Sequence, residues 1–567
     1  MAEEEILGQL QESTRDARRL QRQTLEAILA RNGGVRYLQP YAVINDAGDP
    51  PLDLESFRRR VPISSYDDYA DYIRRMADGD TSSLLSVDPL LCFFNSSGTS
   101  TLRPKMIPYF DSKESKDASN LAHQASAVFL RRLFPPRPTI SKILWFIYAG
   151  NVTRTKGDLK VMAATAYPMQ TNGPSASRLF SLCASPPQVL KSAEVHQQMY
   201  CHLLCGLRNY SSIDAIRAPY AIGLIRAFDL LESKWKQLCR DIECGTVSLE
   251  ITEPTLRDAM EEFLDGPNYD TASRIRAICE GGTWGGIFSK LWPNLRYVSC
   301  VTTGSMKQYY PKLKYYAGEV PLLGGDYFAS ECAIAINLDR LQPPETTRYV
   351  VMPNSAYFEF LPFDFATLQV GKETVDISSV EIGRTYEVVV TTFRGLYRYR
   401  LGDVVRVVGF HNAAPEIEFL TRTPKGVDEY ATERELMLAM EDFQTRTGVE
   451  IIEFTSCWKM GSSSTTPKQN LVIFVEVNGA CERVVLQGMC ASIESFLGGV
   501  YKGKRRDGEL DPLEMCVVKS GSFDLLTRAA MDNGAPGSQY KLPKILRSDE
   551  LVRILKHSVI LTVSSDE

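Results

Sequence analysis

A chain of 567 residues is too long for one hydrophobic core and implies at least two domains, one of them large. Apolar residues supply 44% and charged residues 23%, an ordinary balance for a soluble globular protein; a formal net charge of -5 excludes a nucleic-acid partner, which needs a concentrated basic surface. No apolar run approaches the about 18 residues that cross a bilayer, and the acidic opening Met1-Ala2-Glu3-Glu4-Glu5 lacks the features of a secretory leader, so a cytoplasmic protein with no membrane partner is predicted.

From the N-terminus, residues 5–31 carry Ile6, Leu10, Leu20, Leu25, Ile28 and Leu29 at helical spacing, which predicts an amphipathic helix packed on the main body. Between about 36 and 350, helical stretches alternate with β-rich runs at 142–149, 297–302 and 320–323, the pattern of an α/β domain with mostly parallel strands. Cys201 and Cys205 sit four apart on an apolar helical stretch and read as packed thiols, because no His/Cys partner set follows. From 355 to 420 the character changes. Runs 356–360, 385–393, 396–401 and 404–410, the later ones separated by Gly395 and Gly402, predict a barrel-like antiparallel subdomain with tight turns. Residues 421–432, bearing Pro424 and Gly426, form the hinge candidate, and 433–567 a small mobile α+β domain that follows the large domain of 1–420. In that last domain helices at 433–443 and 483–496 alternate with strands at 451–455, 471–477 and 513–519, before a closing helical tail. The basic run 502–506 reads as a solvated loop.

Four constellations carry chemistry. Phe94-Asn95-Ser96-Ser97-Gly98-Thr99-Ser100, followed by Pro104-Lys105, leaves backbone N–H groups unshielded around a glycine, a nest for phosphate oxygens without the ending of a Walker A loop. Gly324-Gly325-Asp326-Tyr327-Phe328-Ala329-Ser330-Glu331 follows an apolar strand; its Glu331 can hold Mg²⁺, and its aromatics can flank a flat ligand. Gly395-Leu396-Tyr397-Arg398-Tyr399-Arg400-Leu401-Gly402-Asp403 ends on a carboxylate able to accept ribose hydroxyls. Ser538-Gln539-Tyr540-Lys541-Leu542-Pro543-Lys544 offers a lysine near the C-terminus. Singly, each is an ordinary turn, cap or surface charge.

Together, in this order and spacing, they resemble the Gretchen Hagen-3 family of plant acyl acid amido synthetases, within the acyl-adenylate-forming, firefly luciferase-like superfamily. The resemblance covers nearly the whole chain, and 395–403 is its most specific stretch. It implies a ligase of two half-reactions: a carboxylate attacks the α-phosphorus of Mg-ATP to give acyl-AMP and pyrophosphate, then an amino acid's amine takes the acyl group and releases AMP. By motif position, Ser96, Ser97, Gly98 and Thr99 grip phosphate, with Thr99 also near the amino acid. Tyr327, Phe328, Ala329 and Ser330 meet adenine and the acid, Glu331 binds Mg²⁺, Asp403 the ribose, and Lys541 neutralises charge during adenylation. Thr303, Gly304, Ser305 and Met306, with Tyr327, Phe328 and the helix at 112–130, line the acid pocket. Lys519, Gly521, Ser522 and Phe523 help to bind the amino acid. The acids implied are of the jasmonate or indole-3-acetate type, and a monomer is expected. The chain departs from the family pattern at Leu102, at Phe328 and at Glu429-Tyr430. Two rivals are an acyl-CoA ligase of the same superfamily and a non-catalytic hormone- or nucleotide-binding regulator that kept the fold.

Overall fold

The computed structural model describes residues 3–43, 53–96, 104–171, 173–425, 428–460, 468–479, 482–533, 535 and 540–565. The chain is a mixed α/β protein whose buried apolar residues fall into separate clusters. The two largest draw only on residues up to 417, whereas two others draw only on residues from 431 onward. The C-terminal part therefore carries a hydrophobic core of its own, the physical condition for a separately packed unit.

A parallel sheet forms the floor on which the site is built. Its strands, in spatial and chain order, are Lys142–Trp145, Ile213–Tyr220, Tyr297–Val301 and Leu322–Gly324. One face, through Leu144, Ile216 and Val298, packs on a helical layer that includes Val195–Arg208 and Ala221–Cys244. Toward the other face Ala215, Tyr297 and Leu323 meet Leu130 and Phe134 at the end of helix Lys113–Leu133. Cys201 and Cys205 are buried and unpaired in the helical layer, as their apolar setting predicts.

The β-rich middle is one nine-stranded antiparallel sheet. It runs from Gln369–Val370 through Tyr357–Asp364, Thr385–Thr391, Tyr399–His411, Ala414–Arg422, Arg348–Val351 and Ala333–Ile336 to Tyr327–Phe328, with Val375–Asp376 also paired to the Tyr357–Asp364 strand. The runs read as two strands flanking Gly402 are a single thirteen-residue strand. Gly402 lies inside it at φ 78°, within the register shift by which Glu387 faces Val404 but Val389 faces Arg400, so the glycine marks a bulge rather than a turn. At Gly395, where φ is 77°, a Cβ would stand 2.6 Å from the carbonyl oxygen of Leu85, so no other residue fits that turn.

The motif from Gly395 to Asp403 is largely a packing device. Leu396, Tyr397 and Tyr399 are fully buried, and Arg398 grips Glu359 with two bonds of 2.9 and 2.8 Å while donating to the carbonyls of Arg58 and Val61. Arg400 makes a similar fork with Glu387. Only the end of the motif reaches the cavity.

In the C-terminal part, helices Glu433–Thr447 and Arg483–Phe496 cover a five-stranded sheet. Two expectations are corrected there. The basic run at 502–506 is the end of a helix, Gly499–Arg506, anchored by buried Tyr501, and the closing tail is helix Asp549–His557 followed by a strand, Val559–Ser564. The N-terminal amphipathic stretch is two helices, Glu3–Arg15 and Ala17–Asn32, broken where Asp16 caps the second through the Arg19 N–H. Among the described residues no single helix is long and apolar enough to cross a membrane.

Candidate active site

A cavity of about 570 Å³ opens at the C-terminal ends of the parallel strands and is roofed by the antiparallel sheet and the C-terminal part. Its position follows from the parallel topology, in which strand ends and their loops converge on one edge.

One end is polar and charged. Ser96 follows the strand Leu90–Asn95, and Met106 opens its antiparallel partner, with Ser96 N–H donating to the Lys105 carbonyl at 2.9 Å. Both flanks of the Ser/Thr/Gly loop therefore line the cavity. Ser97, Gly98, Thr99 and Leu102 lie outside the described residues. Lys105 donates to the Tyr399 hydroxyl at 3.3 Å and stands 4.9 Å from the Tyr66 ring centre; burial lowers its pKa. Arg422 and Lys425 enter from the end of the Ala414–Arg422 strand and the segment after it. Lys425 is still exposed to the cavity opening, but desolvation on the cavity wall, with Lys105, Arg422 and Arg547, lowers its pKa to about 7. Lys541, from the C-terminal part, places Nζ 3.9 Å from the centre of the Tyr220 ring, at the end of the Ile213–Tyr220 strand.

Carboxylates, Glu331 and Asp403 among them, face these cations. Glu331 is 8% exposed and its pKa is raised, burial outweighing its own backbone N–H and the nearby Lys105. Asp403 accepts from the Tyr327 hydroxyl at 2.6 Å through Oδ2; its buried Oδ1 lies 3.3 Å from Arg422 Nε but receives no hydrogen bond. An unsatisfied buried acceptor costs about 1–3 kcal/mol, so a ligand donor there is favoured. Among the described residues no group of three potential metal ligands occurs. Glu331 alone fits Mg²⁺, which takes one or two protein carboxylates and fills its shell with water and phosphate oxygens.

The other end is mostly apolar. Leu130, Trp145, Ile147, Val301, Leu323 and Phe328 form its walls. Phe328 meets the His123 ring edge-on at 4.6 Å, which fixes the bulky ring as a wall. Thr303, Gly304 and Ser305 line the cavity. Gly304 takes φ 60°, and a Cβ there would meet the Phe419 ring at 2.6 Å.

The structure thus brings Ser96, Thr303, Gly304, Ser305, Tyr327, Phe328, Ala329, Ser330, Glu331, Asp403 and Lys541 around one cavity. Met306 packs instead in the helical core at 1% exposure, and Lys519, Gly521, Ser522 and Phe523 are not among the lining residues. Gly521 and Phe523 donate their N–H groups to Glu476 at the start of helix Ser522–Asp532. Sequence reasoning passed over Lys105, Arg217, Tyr220 and Lys425. Lys105 had a signal, directly after the phosphate-nest loop, and Lys425 stood in the hinge candidate; Arg217 and Tyr220 sit in a segment with no motif.

Comparison with known proteins agrees along the chain. The GH3 family N-terminal, central and C-terminal domain models match residues 6–322, 349–422 and 434–550. The chain is 48% identical to the probable indole-3-acetic acid-amido synthetase GH3.6 of Oryza sativa subsp. japonica, over 68% of this chain and 82% of the relative. It is 34% identical to the jasmonoyl-L-amino acid synthetase GH3.5 of the same plant, over 98% and 97% of the two chains. The solved GH3.15 acyl acid amido synthetase superposes with a TM-score of 0.85 at 32% identity, covering 99% of this chain and 97% of that one. With three domain models in order and relatives matched end to end, the chain belongs to the GH3 family.

Proposed function

We propose that this chain is an ATP-dependent acyl acid amido synthetase, a cytoplasmic ligase that joins an apolar-bodied carboxylic acid to an amino acid through an acyl-AMP. The observation that carries the reading is a single cavity with two unlike ends, one holding Lys105, Arg422, Lys425 and Lys541 with carboxylates that include Glu331 and Asp403, the other walled mostly by apolar side chains. Polyphosphate suits the first end and the acid's body the second, with Lys541 reaching in from the C-terminal part.

In the first step an acid oxygen attacks the α-phosphorus and the bond to pyrophosphate breaks; in the second the amine attacks the acyl carbon and the bond to AMP breaks. Asp403 is assigned to the ribose, where Oδ1, ion-paired with Arg422 but without a hydrogen bond, accepts a hydroxyl, and Tyr327, Phe328, Ala329 and Ser330 to the adenine and the acid. The Ser96–Thr99 loop is assigned to phosphate. Glu331 would hold Mg²⁺, which supplies charge neutralisation on the phosphates. The Lys519–Phe523 loop is assigned to the amino acid, which requires movement of the C-terminal part, with 421–432 as pivot.

The test is a substrate panel of carboxylic acids, including jasmonate and indole-3-acetate, with all standard amino acids. Pyrophosphate release that depends on the acid, AMP release that depends on the amino acid, and an amide in the mass spectrum are expected. A thioester with coenzyme A in place of the amide, or no release with any pair, rejects the reading.

A pH dependence follows from Lys425. Its ammonium is charged below about 7 and neutral above, whereas a bound triphosphate stays anionic and pulls the proton back on. ATP affinity, measured by calorimetry in buffers of different ionisation enthalpy, should therefore fall as pH rises from about 6 to about 8, with proton uptake above 7. Lys425→Arg should flatten that dependence, because guanidinium keeps its charge.

A further inference from the structure

Arg217, at the apolar end of the cavity, is a cation that nothing in the adenylation reading uses; Arg340, which also lines the cavity, is already paired with Asp326. Arg217 lies on the Ile213–Tyr220 strand, in register with Trp145 on one neighbouring strand and Ser299 on the other, and Ser299 in turn with Leu323. All four line the cavity, so they form a row across its floor. Three of these positions are ordinary pocket residues. The fourth is a guanidinium.

Its surroundings leave it under-satisfied. Arg217 Nη2 donates to the Tyr297 hydroxyl at 2.5 Å and the guanidinium lies 5.5 Å from that ring's centre, but buried Nε has no hydrogen-bond partner. Among the described residues no carboxylate forms an ion pair with it. The acid on its own strand, Asp214, is held by Arg137 and Arg296, the latter at 2.7 Å. Asp326, one of the acids on the cavity wall, is held by Arg340 at 2.7 Å, by Ser126 at 2.6 Å and by the Asn337 N–H at 2.9 Å. A cation in an apolar pocket with no carboxylate paired to it gains most from an incoming anion.

Position sets which part of a substrate meets it. Tyr220, under Lys541, marks the level of the reacting carboxylate, and Arg217 is three residues deeper on the same strand, about 10 Å at the usual rise. We propose that the acyl acid this chain selects carries a second anionic group at the far end of an apolar body, and that Arg217 is the residue that recognises it. This rests on the acid-adenylating reading of the site and sharpens it: acids with a single carboxylate, indole-3-acetate among them, fill the pocket but leave the guanidinium unmatched.

The probes are nonanedioic acid, its monomethyl ester and nonanoic acid, which share length and differ in the charge at the far end. For the unmodified protein, kcat/KM in acid-dependent pyrophosphate release should favour the diacid over the ester and the monoacid by about ten-fold or more, the worth of one charge-assisted hydrogen bond. Arg217→Met should collapse that ratio to about one or invert it, and Arg217→Lys should restore part of it. The same ratios measured as binding by calorimetry, with ATP present, separate this proposal from the adenylation reading. Diacid preference in binding without any pyrophosphate release sinks adenylation and leaves Arg217's role standing. Equal binding of all three probes to the unmodified protein, or a diacid preference that survives in Arg217→Met, overturns the proposal. Because the first of these needs no variant, a misfolded Arg217→Met does not rescue it.

Discussion

Replacing Lys541 with alanine should slow acid-dependent pyrophosphate release by roughly 100- to 1,000-fold, the range for removing one preorganised charge from a site of developing negative charge, while the dissociation constant for ATP changes by less than about three-fold. The asymmetry comes from where the cations stand. Lys105 lines the polar end from the large part of the chain, and Arg422 and Lys425 from the end of its last strand and the segment after it, so the ground-state phosphates have several partners without Lys541. Lys541 is different: its Nζ rests on the face of Tyr220, and no carboxylate among the described residues forms an ion pair with it. A ring face holds an ammonium by about 0.5–2 kcal/mol, far less than a developing phosphorane charge offers. The lysine is therefore positioned but not neutralised. Stopped-flow pyrophosphate release with parallel ATP titration reads both quantities. Equal losses in the two would mean that Lys541 merely binds nucleotide, and the role assigned to it would have to be withdrawn.

What the sequence disclosed, and what it concealed, follows from the range of the interactions involved. Helix Arg483–Phe496 was legible to the residue, because its apolar spacing is local; the helix expected at 433–443 starts at Glu433, where Thr432 and Glu435 form a reciprocal cap, but runs on to Thr447. The division at Gly402 was misread, since a glycine at positive φ inside a long strand has the same local signature as one in a turn. Strand Val559–Ser564 was hidden behind a helix of similar composition; it is fixed by pairing with Glu514–Val518, some fifty positions away. The site divides in the same manner. Glu331, Asp403 and Lys541 stand in recognisable stretches and do converge on one cavity. Arg217 stands in the run Ala215-Ile216-Arg217-Ala218-Pro219, which reads as an unremarked strand; only the register with Trp145 and Ser299 puts its guanidinium on a pocket floor. The Gly395–Asp403 motif shows the reverse, a stretch distinctive in sequence whose residues are mostly committed to packing and to the Arg398–Glu359 fork.

Glu453→Ala should destabilise the protein by about 3–5 kcal/mol, the usual cost of stranding one member of a buried ion pair. Glu453 lies on the strand Ile451–Met460, and its carboxylate pairs with Lys544, which is fully buried and also donates to the Phe454 carbonyl at 3.0 Å. From the large part of the chain Tyr309 and Gln308 donate to the same carboxylate, the latter at 3.1 Å. Burial alone would raise the pKa of Glu453, but the Lys544 ammonium and these donors outweigh it and hold the group below the ordinary glutamate value. A depressed carboxylate contributes stability that is present above its unfolded pKa and lost as pH falls through the folded one, so the difference between parent and variant in chemical denaturation should shrink on acidification below about 4.5. The double variant Glu453→Leu/Lys544→Met should be less damaging than Glu453→Ala, because no charge is left without a partner. Tyr309→Phe removes one donor from the large part and strands no charge; it should cost about 1 kcal/mol. The pair is also a docking point. Lys544 follows Lys541 by three residues, so whatever seats Lys544 against Glu453 and Tyr309 also fixes where Lys541 meets Tyr220. Tyr309→Phe should therefore lower pyrophosphate release more than its small stability cost explains. If it lowers stability but not pyrophosphate release, the Glu453 cluster is a fold anchor of the C-terminal part and has no share in seating Lys541.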